Sequence, residues 1–227
     1  MAEGVKSSQC IQVLKTCDPA TIRQFEQVAH RQCFKAGETL FMDKASVDML
    51  YFLAEGYAML YKMNVEGDRK IIFICGAGEM LNEVILQQPI ASVNGEALTE
   101  CGVLSIARSD FLAMMAADFK LTEAVVASMA AKIRRLYRQL KNTPGAVRLD
   151  QQIAARIWKL ARDYGVPTDK GMSIEFALTQ ALLADMVGAK RENVSRQLKR
   201  LSEKGLIIVE KKHFFVPDMA ALANYMG

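Results

Sequence analysis

The stretch Thr179-Gln180-Ala181-Leu182-Leu183-Ala184-Asp185-Met186-Val187-Gly188-Ala189-Lys190-Arg191-Glu192-Asn193-Val194-Ser195-Arg196-Gln197-Leu198-Lys199-Arg200-Leu201 decides how this chain is read. It has helix-turn-helix form. Ala184 is small enough for two helices to approach closely, and Gly188 supplies the positive-φ residue of a tight turn. Val194, Leu198 and Leu201, at steps of 4 and 3, seat the second helix on a core. Glu192, Ser195, Arg196 and Lys199 then share the opposite face at i, i+3, i+4 and i+7. Arg191 stands at the helix start, the end that enters the major groove in this motif.

Those side chains suit base edges. Arginine can give two parallel donors to guanine O6 and N7, and glutamate can accept from cytosine N4. Serine can reach a base or a phosphate. Lys190, Lys199 and Arg200 would neutralise phosphates, which positions a protein without specifying sequence. The alternative is a solvated charged face in a protein-binding domain. The turn glycine, the spacing and the following Leu206–Val209, Glu210-Lys211-Lys212, His213–Val216 strand–turn–strand favour a winged helix that reads DNA. Two more helices are expected in this region, over Ile153–Tyr164 and Leu178–Val187.

Charge agrees. The net charge is +4; from Pro144 onward there are 13 Lys+Arg against 9 Asp+Glu, which leaves the rest of the chain neutral. An anionic partner is therefore expected at the C-terminal third.

Upstream, Leu121, Val125, Met129, Ile133, Leu136 and Leu140 step by 4, 4, 4, 3 and 4, one apolar stripe of a long helix. Lys132, Arg134, Arg135, Arg138 and Lys141 occupy its other faces. Asn142-Thr143-Pro144-Gly145 stops it, and Ser109-Asp110 reads as helix N-caps before it. Between Phe34 and Ala107, short apolar runs alternate with glycine and polar breaks: Thr39–Met42, Met49–Ala54, Ala58–Met63, Lys70–Cys75 and Gly102–Ala107. Glu66-Gly67-Asp68 reads as a hairpin turn. This texture predicts an antiparallel sandwich or barrel. Residues 11–30 are helix-compatible. The expected domains are 1–117, a sensor β-roll with an N-terminal helix; 118–143, a dimerisation helix; and 144–227, a winged helix.

Several classes drop out. With 51% apolar and 24% charged residues the composition is that of a globular protein. No apolar run reaches the roughly 18–20 residues of a membrane span, and the polar N-terminus has no signal-peptide core, so a cytoplasmic location is expected. Cys10, Cys17, Cys33, Cys75 and Cys101 form no CxxC pair and are expected to be reduced thiols. No nucleophile elbow, P-loop or HExxH motif points to an enzyme, and no metal site is expected.

The chain resembles bacterial transcription regulators of the Crp/Fnr family over essentially its full length. The resemblance rests on Arg191-Glu192-Asn193-Val194-Ser195-Arg196, Leu198-Lys199-Arg200-Leu201 and Glu203-Lys204-Gly205-Leu206-Ile207. In the front half it rests on Phe34–Phe41, Leu50–Gly56 and Gly78-Glu79-Met80-Leu81-Asn82-Glu83. It implies an α+β architecture: an N-terminal antiparallel β-roll of the jelly-roll, double-stranded β-helix type, a long dimerisation helix and a C-terminal winged helix-turn-helix. It also implies a homodimer on palindromic double-stranded DNA, with RNA polymerase and a small-molecule effector as further partners. The Glu192, Ser195, Arg196 set resembles readers of TTGA-like half-sites, and Arg191 resembles readers of TGTGA. A TGA-containing half-site is expected, with Arg196 on its guanine and Glu192 on the paired cytosine.

The effector is less legible. In relatives that bind cyclic AMP, a phosphate cassette pairs Gly-Glu with Arg-Ser. Here the Glu is Glu83, but Asn82 replaces the Gly and Ala91-Ser92 replaces Arg-Ser. Alanine cannot neutralise a phosphate, so cyclic AMP is disfavoured. The cysteine spacing does not match iron–sulfur relatives. Haem, ligated by His30, a Cys or a Met, stays open, as do a redox-sensing role and a nucleotide-binding module acting on a protein partner. Met59, Tyr61, Phe73, Met80, Glu83, Ser92, Met129 and Tyr137 are the candidate effector-pocket residues; the same positions also suit plain core.

Overall fold

A computed structural model describes residues 8–141 and 148–226. The chain divides into two compact units. The first takes the chain up to Lys62 together with Ile72–Leu136; the second takes Met63–Ile71 and everything from Tyr137.

In the first unit the expected N-terminal helix is broken. A short 3-10 turn covers Gln12–Leu14, and helix α1 runs over Pro19–Val28. Pro19 has no N–H to give, so it opens a helix and cannot sit inside one. Seven strands form or enter the roll: β1 (His30–Phe34), β2 (Thr39–Phe41), β3 (Met49–Glu55), β4 (Ala58–Met63), β5 (Arg69–Cys75), β6 (Asn94–Ala97) and β7 (Cys101–Ala107). They make two sheets, ordered β1-β7-β3 and β2-β6-β4-β5. The pairings are antiparallel, with His30 opposite Ser105, Phe52 opposite Leu104 and Leu60 opposite Gly95.

Strands β3 and β7 of the first sheet are covered on both sides. Leu50, Phe52, Leu104 and Ile106 face one apolar cluster, which also holds Phe25, Phe111, Leu121 and Val125. Leu53 and Val103 face a second cluster with Leu40, Phe41, Leu60 and Phe73. This double burial is why β3 and β7 read as near-continuous apolar runs and not as an alternation. Phe52 is the hub of the first cluster, with ring centroids 5.4 Å from both Phe25 and Phe111.

Helix α2 (Arg108–Ala117) follows β7 directly, and helix α3 spans Phe119–Lys141. Ser109-Asp110 does not cap α2. The N-cap is Ala107, and the Arg108 N–H is taken at 2.8 Å by the Asp48 carbonyl, so strand pairing continues into the first turn and leaves no place for a side-chain cap. The stop read at Asn142–Gly145 lies outside the described residues.

The second unit contains α4 (Leu149–Tyr164), β8 (Gly165–Thr168), β9 (Gly171–Ile174), α5 (Gln180–Val187), α6 (Arg191–Glu203), β10 (Ile208–Glu210), β11 (His213–Val216) and α7 (Met219–Met226). The wing was expected to be two-stranded. It is the edge of a four-stranded sheet, β10-β11-β9-β8. Gly171, at φ +104°, closes the extra hairpin. Helix α7 was also unforeseen; it packs on α4, where the Tyr225 hydroxyl donates to Asp150 at 2.6 Å and the Trp158 Nε1–H donates to the Met219 carbonyl at 3.0 Å. The Glu66-Gly67-Asp68 hairpin turn is present, and Asn64 organises it by accepting the Glu66 and Asp68 N–H groups. From the same segment Lys70 donates at 3.1 Å to the Met186 carbonyl in the last turn of α5.

Candidate nucleic-acid interface and sensor site

Helix α5 begins at Thr179, whose hydroxyl accepts the Leu182 N–H at 3.0 Å and so satisfies one donor of the first turn. It ends at Gly188, φ +71°, with the Gly188 N–H on the Ala184 carbonyl at 2.8 Å. The left-handed residue turns the chain so that Lys190 becomes the N-cap of α6 only three residues after α5 ends. Val194, Leu198 and Leu201 are 0%, 4% and 0% exposed and lock α6 onto α4 and α5. The opposite face is therefore forced outward.

On that face Lys190, Arg191, Glu192, Arg196, Lys199 and Arg200 are exposed, and Ser195 is half-buried between them. These are the residues proposed from sequence, brought together on one helix. Two features were not foreseen. Asn193 Oδ1 accepts from Arg196 Nη2, which steers the guanidinium along the helix surface. Lys211, at φ +59°, and Lys212 place two exposed cations at the wing turn. The sequence shows Glu210-Lys211-Lys212 as a turn but does not mark its charges as part of the reading face. Lys199 is 3.9 Å from Glu203, and Arg200 is 3.4 Å from Gln197, loose pairs that a phosphate could displace. At the far end the Leu206 N–H bonds the Leu201 carbonyl at 3.0 Å around Gly205, φ +69°, which turns the chain toward the wing.

The effector-pocket candidates divide by burial. Phe73 lies in one core cluster and Met80 in the other, with Met129 packed against the latter. Met59 and Tyr61 are buried, whereas Ser92 and Tyr137 are exposed. Met59, Tyr61, Phe73 and Met80 are all buried within the protein, as plain core would be. Glu83 is also buried, and is paired at 2.7 Å with Lys132 of α3, and one turn on Arg135 pairs at 2.9 Å with Glu79. In the sequence both cations lie off the apolar stripe, on what read as outer faces of the helix.

The long-helix stripe lies on one helix, and its members differ in exposure. Leu121 and Val125 are 0% and 1% exposed inside the unit's own core, so they cannot meet a second copy. Met129 packs against the same core. Ile133, Leu136 and Leu140 are exposed, together with Phe119, Val126 and Tyr137. Phe119, Val126, Ile133 and Leu140 recur every seven residues, a second apolar seam that drifts off the first.

Among the described residues no three of His, Cys, Asp and Glu are placed to hold a metal ion. Cys17, Cys75 and Cys101 are buried and Cys33 is exposed. Burial pushes the Cys17 thiol up to about 11, helped by Asp118 and Asp18, and raises Cys75 and Cys101 as well. His30 is exposed on β1. No helix among the described residues is long and apolar enough to cross a membrane.

Residues 151–225 match the Crp-like helix-turn-helix domain, and residues 31–118 match the cyclic nucleotide-binding domain. A CRP-like cAMP-activated global transcriptional regulator of Mycobacterium tuberculosis is 23% identical over 218 residues, covering 93% of this chain and 95% of its own. An anaerobic regulatory protein of Bacillus subtilis is 22% identical over 193 residues, 82% of this chain and 79% of its own. Among solved structures, FixK2 from Bradyrhizobium japonicum superposes with a TM-score of 0.76 at 18% identity, covering 87% of this chain and 96% of that one. A CooA mutant from Carboxydothermus hydrogenoformans gives 0.76 at 15%, covering 96% and 95%.

Proposed function

The chain belongs to the Crp/Fnr family of DNA-binding transcription regulators, and we propose that it acts as a homodimer on a two-fold symmetric DNA site whose half-sites contain TGA. The observation that carries this reading is the exposed face of α6. Lys190, Arg191, Glu192, Ser195, Arg196, Lys199 and Arg200 stand together opposite a fully seated apolar face. Arg196 would give two donors to the guanine of TGA, and Glu192 would accept from the paired cytosine. Lys190, Lys199 and Arg200 would hold phosphates, with Lys211 and Lys212 of the wing added to the set.

The seam of Phe119, Val126, Ile133 and Leu140 supports the dimer. A helix with one apolar face already in the core has no intramolecular use for a second at a heptad spacing. Two copies joined along it would present two recognition helices, and a palindromic site follows from the two-fold axis. As a regulator it would work on RNA polymerase, in the cytoplasm, with its sensor unit biasing the α3 pairing.

Selection from a random duplex pool tests the whole reading. The expected product is an inverted repeat with TGA in each arm, about one helical turn between half-site centres. Enrichment of no dyad would refute it. Binding should also weaken steeply with salt, because phosphate contacts release counterions.

A further inference from the structure

Helix α3 presents two cations, three residues apart, to two carboxylates four residues apart. Lys132 Nζ donates to Glu83 Oε2 at 2.7 Å and to the Met80 carbonyl at 2.6 Å. Arg135 donates to Glu79 Oε2 at 2.9 Å and to the Ile74 carbonyl at 3.2 Å, with its guanidinium 4.7 Å from the Phe73 ring centroid. The Lys132 and Glu83 side chains retain only 10% and 8% exposure. The four charges pair off within the unit, and the Met80 and Ile74 carbonyls take further donors from the same two cations.

The cyclic nucleotide that the matched domain's description implies does not fit these residues. Ala91 is buried at 1% exposure and has no donor for a phosphate. The Asn82 amide is committed to β3: its oxygen accepts the Tyr51 N–H and its nitrogen donates to the Met49 carbonyl, both at 2.9 Å. Ser92 is exposed. Beside Glu83 the cation Lys132 is already committed to that carboxylate and to the Met80 carbonyl, so it does not replace the missing arginine.

We infer that Lys132 stands in for an effector: its bond to Glu83 fixes α3 on the sensor unit and keeps the protein competent for DNA without a cyclic nucleotide. Leu121, Val125 and Lys132 face inward at i, i+4 and i+11, whereas Val126 and Ile133 each follow an inward residue by one position and are exposed. Holding Lys132 therefore sets the rotation of the helix and aims the seam outward. The inference rests on the DNA-binding, dimeric reading above.

The test uses full-length protein and a duplex that the wild type has selected, read by fluorescence anisotropy. Wild-type affinity should change by less than about threefold when cyclic AMP or cyclic GMP is added at about 1 mM, well above ordinary effector affinities. Lys132→Met with Glu83→Gln removes both charges together, so no bare charge is left buried. That pair should melt near the wild type and yet bind DNA about tenfold more weakly, a normal size for a coupling between sites. Lys132→Arg keeps a cation and should retain binding. A double variant that binds as the wild type does, or a nucleotide that strengthens wild-type binding about tenfold, would overturn the inference. If the wild type selects no duplex with or without nucleotide, the DNA-binding reading is what fails. Hydrogen exchange of the α3 amides then decides: protection lost in the double variant and indifferent to nucleotide upholds the tether, and protection gained on adding nucleotide overturns it.

Discussion

Arg196 and Asn193 show what one side chain contributes to a reading surface. The Asn193 amide accepts from the Arg196 guanidinium, so the long arginine is partly ordered before any base arrives. Arg196→Ala should relax selectivity at one base pair of each half-site and cost about 1–3 kcal/mol in specific binding. Competition binding against duplexes altered at that position measures it; unchanged selectivity would remove Arg196 from its role. Asp118 works at the same scale by holding the N-terminal segment. It accepts from the Thr21 hydroxyl at 2.7 Å, the Asp18 N–H at 3.1 Å and the Lys120 N–H at 2.9 Å. These bonds, the Thr21 hydroxyl first, hold its carboxyl below the usual range against the opposing effect of desolvation. A depressed folded-state value stabilises above the unfolded pKa, about 3.9, and that stabilisation is lost as pH falls through the folded value. Asp118→Asn should therefore melt below the wild type at neutral pH, with the gap closing under acid. A gap independent of pH would contradict the assignment. The thiols give a third residue-scale test. Native alkylation followed by mass spectrometry should modify Cys33 first, because burial raises the Cys17, Cys75 and Cys101 thiols and shields them. Equal rates at Cys33 and Cys75 would be inconsistent with the fold.

Helix α3 carries two apolar stripes, and the element scale separates them. Val125 is sealed in the core and Val126, beside it, is 58% exposed. Val125→Glu buries an unpaired carboxyl and should prevent folding or cost several kcal/mol, about what an unmatched buried charge costs. Val126→Glu together with Ile133→Glu should leave the melt of the fold intact and convert a dimer to a monomer in sedimentation. A dimer that survives both changes would place the interface elsewhere. The short turn of the helix-turn-helix depends on backbone conformation in the same local way. At Gly188 a β-carbon would be strained at φ +71° and would stand 3.0 Å from Lys70 Nζ, so Gly188→Ala should destabilise by about 1–2 kcal/mol.

At the scale of the molecule, each unit could be read only as far as its contacts are local. The helix-turn-helix was legible because its determinants lie within 23 consecutive residues: a cap, a positive-φ glycine and a 3.6-residue period. Each of these acts on its neighbours in the chain, whatever the rest of the protein does. The β-roll was half legible. Five of its strands announced themselves by apolar runs, but β1, His30–Phe34, is mostly exposed and polar, and β6, Asn94–Ala97, is short and contains Gly95. Pairing with β7 and with β2 and β4 makes them strands, and pairing is not written in local propensity.

The sequence by itself determined the recognition helix, its seated and outward faces, and the family to which the chain is similar. Only the tertiary structure decided which stripe of α3 meets its own sheet, because steps of three and four and a repeat of seven both suit one face of a helix and a periodicity does not say what lies opposite it. Only the tertiary structure showed that Lys132 is a buried, paired cation and not a solvated one. Its partner Glu83 lies 49 residues earlier, and an ion pair that far apart exists only once the helix has been laid across the roll.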